Sequence, residues 1–378
     1  MYSFVSKARS FFRSATALVS FALIVSASAN AQKVHQFNLF SDVPGVARTT
    51  DTAGQLVNPW GIAFSSTGPF WISDNNSGLS TIYSGPPPIT QAGLVVTVPP
   101  AAGGTSGTPT GIVFNGTGLF SVTENGVSGS SFFIFATEDG TLSGWSPSVD
   151  LHNAVRVVDN SLPGGVDHSE LGAVYKGLAI VTTAKGSFIY AANFRDRKVE
   201  VYDSNFAYVK SFSDPSVPKN YAPFGIQAIG SKIYVTFAQQ NDQKHDDVPG
   251  YGHGFVDVFG PHGQLLQRLI SQGPLNSPWG IALAPGNFGT FSNALLIGNF
   301  GNGWVNAFDP ATGASLGFLE DSHSAPLAID GLWGLAFGNG HSAGRTNELF
   351  FTAGIQGESH GLFGKLTAFP VTTSASSK

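Results

Sequence analysis

An all-β fold assembled from repeated four-strand units is predicted by three features of the sequence. A phrase built on Pro-Trp-Gly-Ile-Ala recurs along the chain, as at Pro59–Ala63 and Pro278–Ala282. Each copy is followed by short apolar runs separated by polar, Gly-bearing turns. The composition also favours strands: 12% of the 378 residues are aromatic, with 31 Phe, 47 Gly and 22 Pro. Aromatic and β-branched residues suit a pleated surface, and Gly and Pro punctuate it.

The elements follow in order. Gly61 sits in PWGIAF, Gly111 in PTGIVF, Gly177 in YKGLAI, Gly225 in PFGIQA, Gly280 in PWGIAL and Gly334 in LWGLAF, at intervals of 48 to 66 residues. A second run comes next in each unit: FWISD, FFIFATE, FIYAAN, IYVTFAQ, LLIGN and LFFTAG. A third follows a polar turn: STIYS, TLSGWS, KVEVYD, GFVDVF, WVNAFD and KLTAF. A fourth is visible in the first five units: GLVVTV, AVRVVD, YVKSFS, QLLQRLI and ASLGFLE. This period fits the four-stranded blade of a β-propeller, here with six blades, and not a helical solenoid repeat. The longest interval holds an insertion, Asn115 to Ser131.

The sixth unit lacks a fourth run after KLTAF, and the segment Lys33 to Ser41, KVHQFNLFS, is spare. Pairing the two closes the ring and removes an open sheet edge. Residues 32–370 therefore read as one propeller and 371–378 as a disordered tail. The anchor glycines are expected where inner strands crowd the axis, since a side chain there would clash. Trp60, Trp279 and Trp333, each just before such a glycine, are expected to wedge between neighbouring blades; stacking on a ligand at the channel mouth is the alternative.

Residues 1–31 stand apart. Lys7, Arg9 and Arg13 precede a 13-residue apolar run, Ala15 to Ala27, and ANA ends at Ala31. This is the pattern of a cleaved secretory signal, and the run is too short to span a bilayer. Export to the periplasm or the cell exterior is expected, with no transmembrane segment in the mature chain. The chain has no Cys, which excludes thiol catalysis, Cys-ligated zinc and disulfides. A net charge of −5 without long charged runs argues against a nucleic-acid partner. A monomer is expected.

The phrases NPWGIAF, FIFATEDGTLSGW, YKGLAI, NFGNGWVNAFDP and GLWGLAFG resemble an uncharacterised family of exported bacterial six-bladed propellers. They are also similar to NHL-type propellers and, more loosely, to gluconolactonase-like ones. The resemblance covers nearly all of the mature chain and implies fold and export. Relatives of the wider fold include calcium-dependent lactonases, lyases and plain binding scaffolds, so fold alone does not choose a function.

Chemistry is expected where second strands end and first strands begin, on one face near the axis. The strand-two ends read Asp74, Glu138, Asn193, Gln239, Asn299 and Gly354. Carboxylate and amide oxygens suit a hard cation such as calcium. In gluconolactonase-like propellers a metal sits on the axis with such ligands, which makes Asp74, Glu138, Asn193 and Asn299 the candidate metal set. Asp and Asn are also ordinary turn formers, and that reading stands beside the first. His168 and Glu170 in the loop entering blade three, and His245 in the long acidic loop of blade four, are candidate general bases. That loop also carries Asp242, Asp246, Asp247 and His253, and reads as a flexible lid or a solvated surface segment; His360 lies in blade six. No nucleophile elbow, Walker loop, His-Glu-x-x-His or dinucleotide fingerprint occurs. NNS at Asn75 and NGT at Asn115 are glycosylation-type sequons.

Two functions remain open: a secreted binding or scaffolding module, or a calcium-dependent lactonase or esterase with its site on the axis. The processing expectation is directly checkable. N-terminal sequencing of protein from the native host should give a start at Gln32, within a residue or two, and an intact membrane-retained Met1 would overturn it.

Overall fold

The computed structural model describes residues 30–85, 87–162 and 171–369. Among them, strands alternate with turns, the only helical elements are two short 3₁₀ segments, and no helix is long and apolar enough to cross a membrane. The expected signal segment 1–31, the loop bearing His168 and Glu170, and the tail lie wholly or largely outside these residues, whereas the expected mature start, Gln32, is among them.

The strands form six antiparallel four-stranded units in the order read from the sequence. Blade one runs Pro59–Ala63, Phe70–Asp74, Leu79–Ser84 and Thr90–Thr97. Blade three runs Tyr175–Thr183, Gly186–Asn193, Lys198–Tyr202 and Tyr208–Phe212. The first strand of each blade is innermost. These inner strands touch one another in cyclic order, the sixth against the first, which closes the ring. Apolar side chains on both blade faces form the core between blades, as Trp71, Ile82, Val96 and Phe135 do between blades one and two.

The anchor glycines make the ring possible. A Cβ on Gly225 would lie 2.0 Å from the carbonyl oxygen of Trp279, and one on Gly334 would lie 2.5 Å from that of Trp60. At all six a Cβ would lie within 3.0 Å of the backbone of the next blade's inner strand. Threonines staple the same contact. Thr236 Oγ1 donates to Pro278 O at 2.6 Å, Thr352 Oγ1 to Trp60 O at 2.6 Å, and Thr110 Oγ1 to Tyr175 O at 2.8 Å. On one side of this collar the inner strands open into an apolar cup of about 400 Å³, lined by Ile62, Ile112, Leu178, Ile281 and Leu335 among others.

The insertion in blade two forms a hairpin of its own, Ser121–Glu124 with Val127–Ser130. Phe120 and Val122 bury it against the core shared with blade three, with the Phe120 and Phe206 rings 5.4 Å apart.

Ring closure uses more chain than expected. The terminal strand is Asn30–Ser41, and its part from Val34 onward pairs antiparallel with Leu362–Ala368 as blade six's outer strand. Its first residues, Asn30 to Lys33, pair parallel with Gly317 to Glu320 of blade five. One strand thus belongs to two blades. Val34 and Phe40 are buried, and the Phe40 ring lies 4.6 Å from Tyr83 of blade one. Phe40→Ala should cost about 3–5 kcal/mol by leaving a cavity in this seam. Deleting Lys33 to Ser41 should cost more and promote aggregation through the exposed edge. Denaturant unfolding with light scattering measures both; a deletion variant that is monomeric and of undiminished stability would place the closure elsewhere.

Candidate functional site

Five of the six residues preceding collar glycines meet on the axis: Trp60, Lys176, Phe224, Trp279 and Trp333. Trp60 and Trp333 stack between adjacent blades, as expected of a wedge, and further contacts such as Trp60 with Trp279 and Phe224 with Trp333 join blades that are not neighbours, so the wedge extends into a central plug. Trp60 stacks on Trp333 at 3.5 Å, and Trp279 meets both edge-on at about 6 Å. Phe300 stacks on Trp333 at 4.0 Å, and Phe224 packs beside it. The indole of Trp279 donates to Lys176 O across the ring at 3.1 Å, and that of Trp333 to Asn58 Oδ1 at 3.0 Å. These rings are buried against one another rather than presented at an open channel mouth.

Lys176 is the outlier in this aromatic set. Its side chain is 2% exposed, with the ammonium 5.1 Å from the Trp60 ring centre and 5.8 Å from that of Phe194. It forms an ion pair with Glu138 and stands 3.6 Å from Asp246. A buried charge requires partners of this kind, and aromatic faces add to them. Burial works to lower the pKa of Lys176, but Glu138, Asp246 and Asp247 outweigh it, and the ammonium is held above its ordinary value. Asn75 Nδ2 donates to the other Glu138 oxygen at 2.9 Å.

The long loop of blade four arches over this centre. It is pinned at many points: Gln240 bonds Phe194 O at 2.7 Å, Asn241 N bonds Asp246 O at 2.8 Å, and Gly250 N bonds Asn276 Oδ1 at 2.7 Å. The reading of a flexible lid does not fit a segment so held. His245 Nδ1 lies 2.7 Å from Asp246 Oδ1. Hydrogen bonding from His245, with Lys176 assisting, holds the Asp246 carboxyl down at about 2. Burial pushes the Asp247 carboxyl up, and burial does the same to Glu358, whose carboxylate accepts from Asn58 at 2.9 Å. Ligand atoms of Glu138, His245 and Asp246 lie within 4.8 Å of one another.

The candidate metal set does not assemble. Asp74, Asn193 and Asn299 are all 0% exposed and turn into their own blades. Asn193 Nδ2 bonds Glu200, Asn299 Nδ2 bonds Asn306, and Asp74 Oδ2 accepts from the Thr81 backbone N–H at 2.9 Å. The partner is each time seven residues on, across the hairpin. In blade two this position is Thr137, which pairs with Pro109 as Asp74 pairs with Pro59. Glu138 is one residue further, so its side chain takes the opposite side of the strand and reaches the axis. Gln239 and Gly354 are not in the axial cluster either. Of the candidate bases, His245 is placed at the centre, and His168 and Glu170 lie outside the described residues. His253 bonds Val248 O within the loop, and His360 bonds Asp42 at the closure seam. Lys176, the residue on which the cluster turns, was not singled out from the sequence, although a lysine among Trp and Phe at one repeat position is the signal. Both sequon asparagines are buried, Asn75 on Glu138 and Asn115 on backbone carbonyls.

Asp74 is itself anomalous. It is a fully buried carboxylate with one oxygen unpartnered. Burial pushes its carboxyl well above the usual range, the Thr81 hydrogen bonds oppose this, and Asp51 adds to the rise. A raised native-state pKa means that the native protein holds the proton more tightly than the unfolded chain. Stability contributed at low pH is then lost as pH climbs above the ordinary carboxylate range towards the native value. Blades three and five carry Asn here. Asp74→Asn should therefore raise stability at pH 7 by about 1–3 kcal/mol and flatten its fall with pH. Denaturant titrations from pH 4 to 9 check this; a variant less stable than wild type at pH 7 would overturn it.

Comparison with known proteins adds kinship and fold. No family model matches the chain. Among solved structures, a Penicillium chrysogenum α-L-arabinanase complexed with arabinobiose superposes with a TM-score of 0.54 at 10% identity, over 88% of this chain and 97% of that one. A streptogramin B lyase gives 0.50 at 11% identity, over 89% and 97%. At such identities the likeness shows the β-propeller fold alone. In sequence, the uncharacterized protein R648 of Acanthamoeba polyphaga mimivirus is 33% identical over 325 residues, 83% of this chain and 76% of the relative. Protein L690 of the same virus is 31% identical over 82% of this chain and 80% of its own length. On that extent and identity, the chain belongs to the propeller family that includes the mimivirus proteins R648 and L690.

Proposed function

We propose that the protein is an exported binding module that presents the plugged, polar end of the ring to its ligand. The observation that supports this reading is the ammonium of Lys176 on the axis. A metal-dependent hydrolase of the gluconolactonase kind keeps its cation there; here the position holds a lysine whose charge Glu138 and Asp246 already meet. Three of the four candidate calcium ligands are spent inside their blades. The plug below is packed, so contacts are made at the rim, where Tyr251 is 79% exposed and Asp242 is exposed in the same arching loop. Tyr at such a site offers apolar area with a polar end.

The rival reading, a metal-dependent hydrolase, has one observation in its favour, the close approach of Glu138, His245 and Asp246. It requires a divalent ion to displace Lys176. Thermal unfolding separates the two. The binding-module reading expects millimolar calcium to leave the wild-type melting temperature unchanged after chelator treatment. It expects Lys176→Met to lose about 3–5 kcal/mol through the uncompensated carboxylates, and to recover part of that with calcium by mass action. A wild-type melting temperature that rises with calcium or zinc, together with metal retained in the purified protein, would overturn the reading in favour of the hydrolase.

A further inference from the structure

Arginine partners single out a second place on the molecule. Among the described residues Arg156, Arg195, Arg197 and Arg268 all bond carboxylates or backbone carbonyls through their side chains. The guanidinium groups of Arg48 and Arg345 have no such partner, and both residues are exposed. The two come from opposite ends of the sequence, yet both line one groove of about 770 Å³ beside the ring-closing strand. Closure itself brings them together. Arg48 is held where Arg48 N bonds Asn38 O at 3.0 Å, and Arg345 lies in the turn between the first two strands of blade six.

The rest of the groove decides what it suits. Phe37, 46% exposed, Leu39 and Ile89 give it an apolar wall. Lys365 also lines it, but Glu348 takes that charge through a 2.6 Å bond. The remaining charge is that of the two guanidiniums. A planar guanidinium matches carboxylate and phosphate oxygens two at a time. A concave apolar wall with a few placed polar groups is the usual form of a small-molecule site.

We propose that this groove binds a small organic anion, a carboxylate or phosphate monoester carried on an apolar chain. The anion head is taken by Arg48 and Arg345, and the chain lies against Phe37 and Leu39. The site shares no residue with the axial cluster and does not depend on the reading given to it.

Calorimetric titration of the full chain tests this with octanoate and octyl phosphate as probes, and octanol and inorganic phosphate as controls. Both amphiphilic anions should bind, more weakly as salt is raised. Octanol and inorganic phosphate should each bind about tenfold more weakly or worse, since one lacks the charge and the other the apolar chain. Arg48→Gln with Arg345→Gln should weaken octanoate binding about tenfold or more, and Arg48→Lys with Arg345→Lys should restore part of it. Phe37→Ser should weaken octanoate binding and leave that of inorganic phosphate unchanged. Octanoate binding that the double glutamine variant leaves intact, octanol binding as tightly as octanoate, or no binding of either anion at millimolar concentration would each overturn the proposal. Circular dichroism of the variants, which alter exposed side chains, confirms that they fold.

Discussion

The whole architecture rests on how closely six backbones can approach one axis. At the collar, each inner strand lies so near the next that a single Cβ would drive into a carbonyl, as at Gly225 against Trp279. Glycine is the residue that permits such an approach. The neighbouring threonines turn the closeness into bonding, since Thr236 and Thr352 hydrogen-bond the carbonyls of the following blade. With the collar set, the residue before five of the six glycines is committed to the axis, and the residues after them are committed to the cup on the other side. The plug, the lysine and the polar end all follow from that one spacing.

The collar also explains which parts were legible from sequence. A glycine needed six times for one steric reason leaves a repeat that can be read by eye, and with it come strand order, blade number and the closing role of the N-terminal strand. Strand pairing with a period of two is less forgiving. Glu138 and Asp74 look alike as acidic ends of apolar runs, but Thr137 is the true counterpart of Asp74, and a shift of one residue sends the side chain to the other side of the sheet. For that reason one member of the candidate metal set reaches the axis and three do not. The parallel pairing of Asn30 to Lys33 with blade five had no signal in the pattern at all, because backbone ladders do not depend on which side chains carry them.

Lys176 shows how a propeller of this kind settles the electrostatics of its centre. Carboxylates converge there from the ends of blades two and four, and without a counter-charge they would repel. A cation supplied covalently by the inner strand of blade three meets them at no cost in bound ligand, and the aromatic faces of Trp60 and Phe194 shelter it. The blade-four arch is drawn in by the same charge, through Asp246. Plug, ammonium and arch are therefore one unit: the rings desolvate the lysine, the lysine gathers the acids, and the acids hold the loop above it.

The double membership of the first strand has a consequence in time. Phe40 pairs with Phe363, almost the full length of the chain away. During synthesis the earliest described residues must wait for nearly the last to complete their ladder. Contacts so distant in sequence carry a high loop-closure entropy and make for slow folding. Blades one to five can form locally as their hairpins emerge, while blade six, and the parallel edge that Asn30 to Lys33 adds to blade five, is completed only when the two ends of the polypeptide meet. The protein thus passes its whole elongation as an open arc and becomes a ring in one late event.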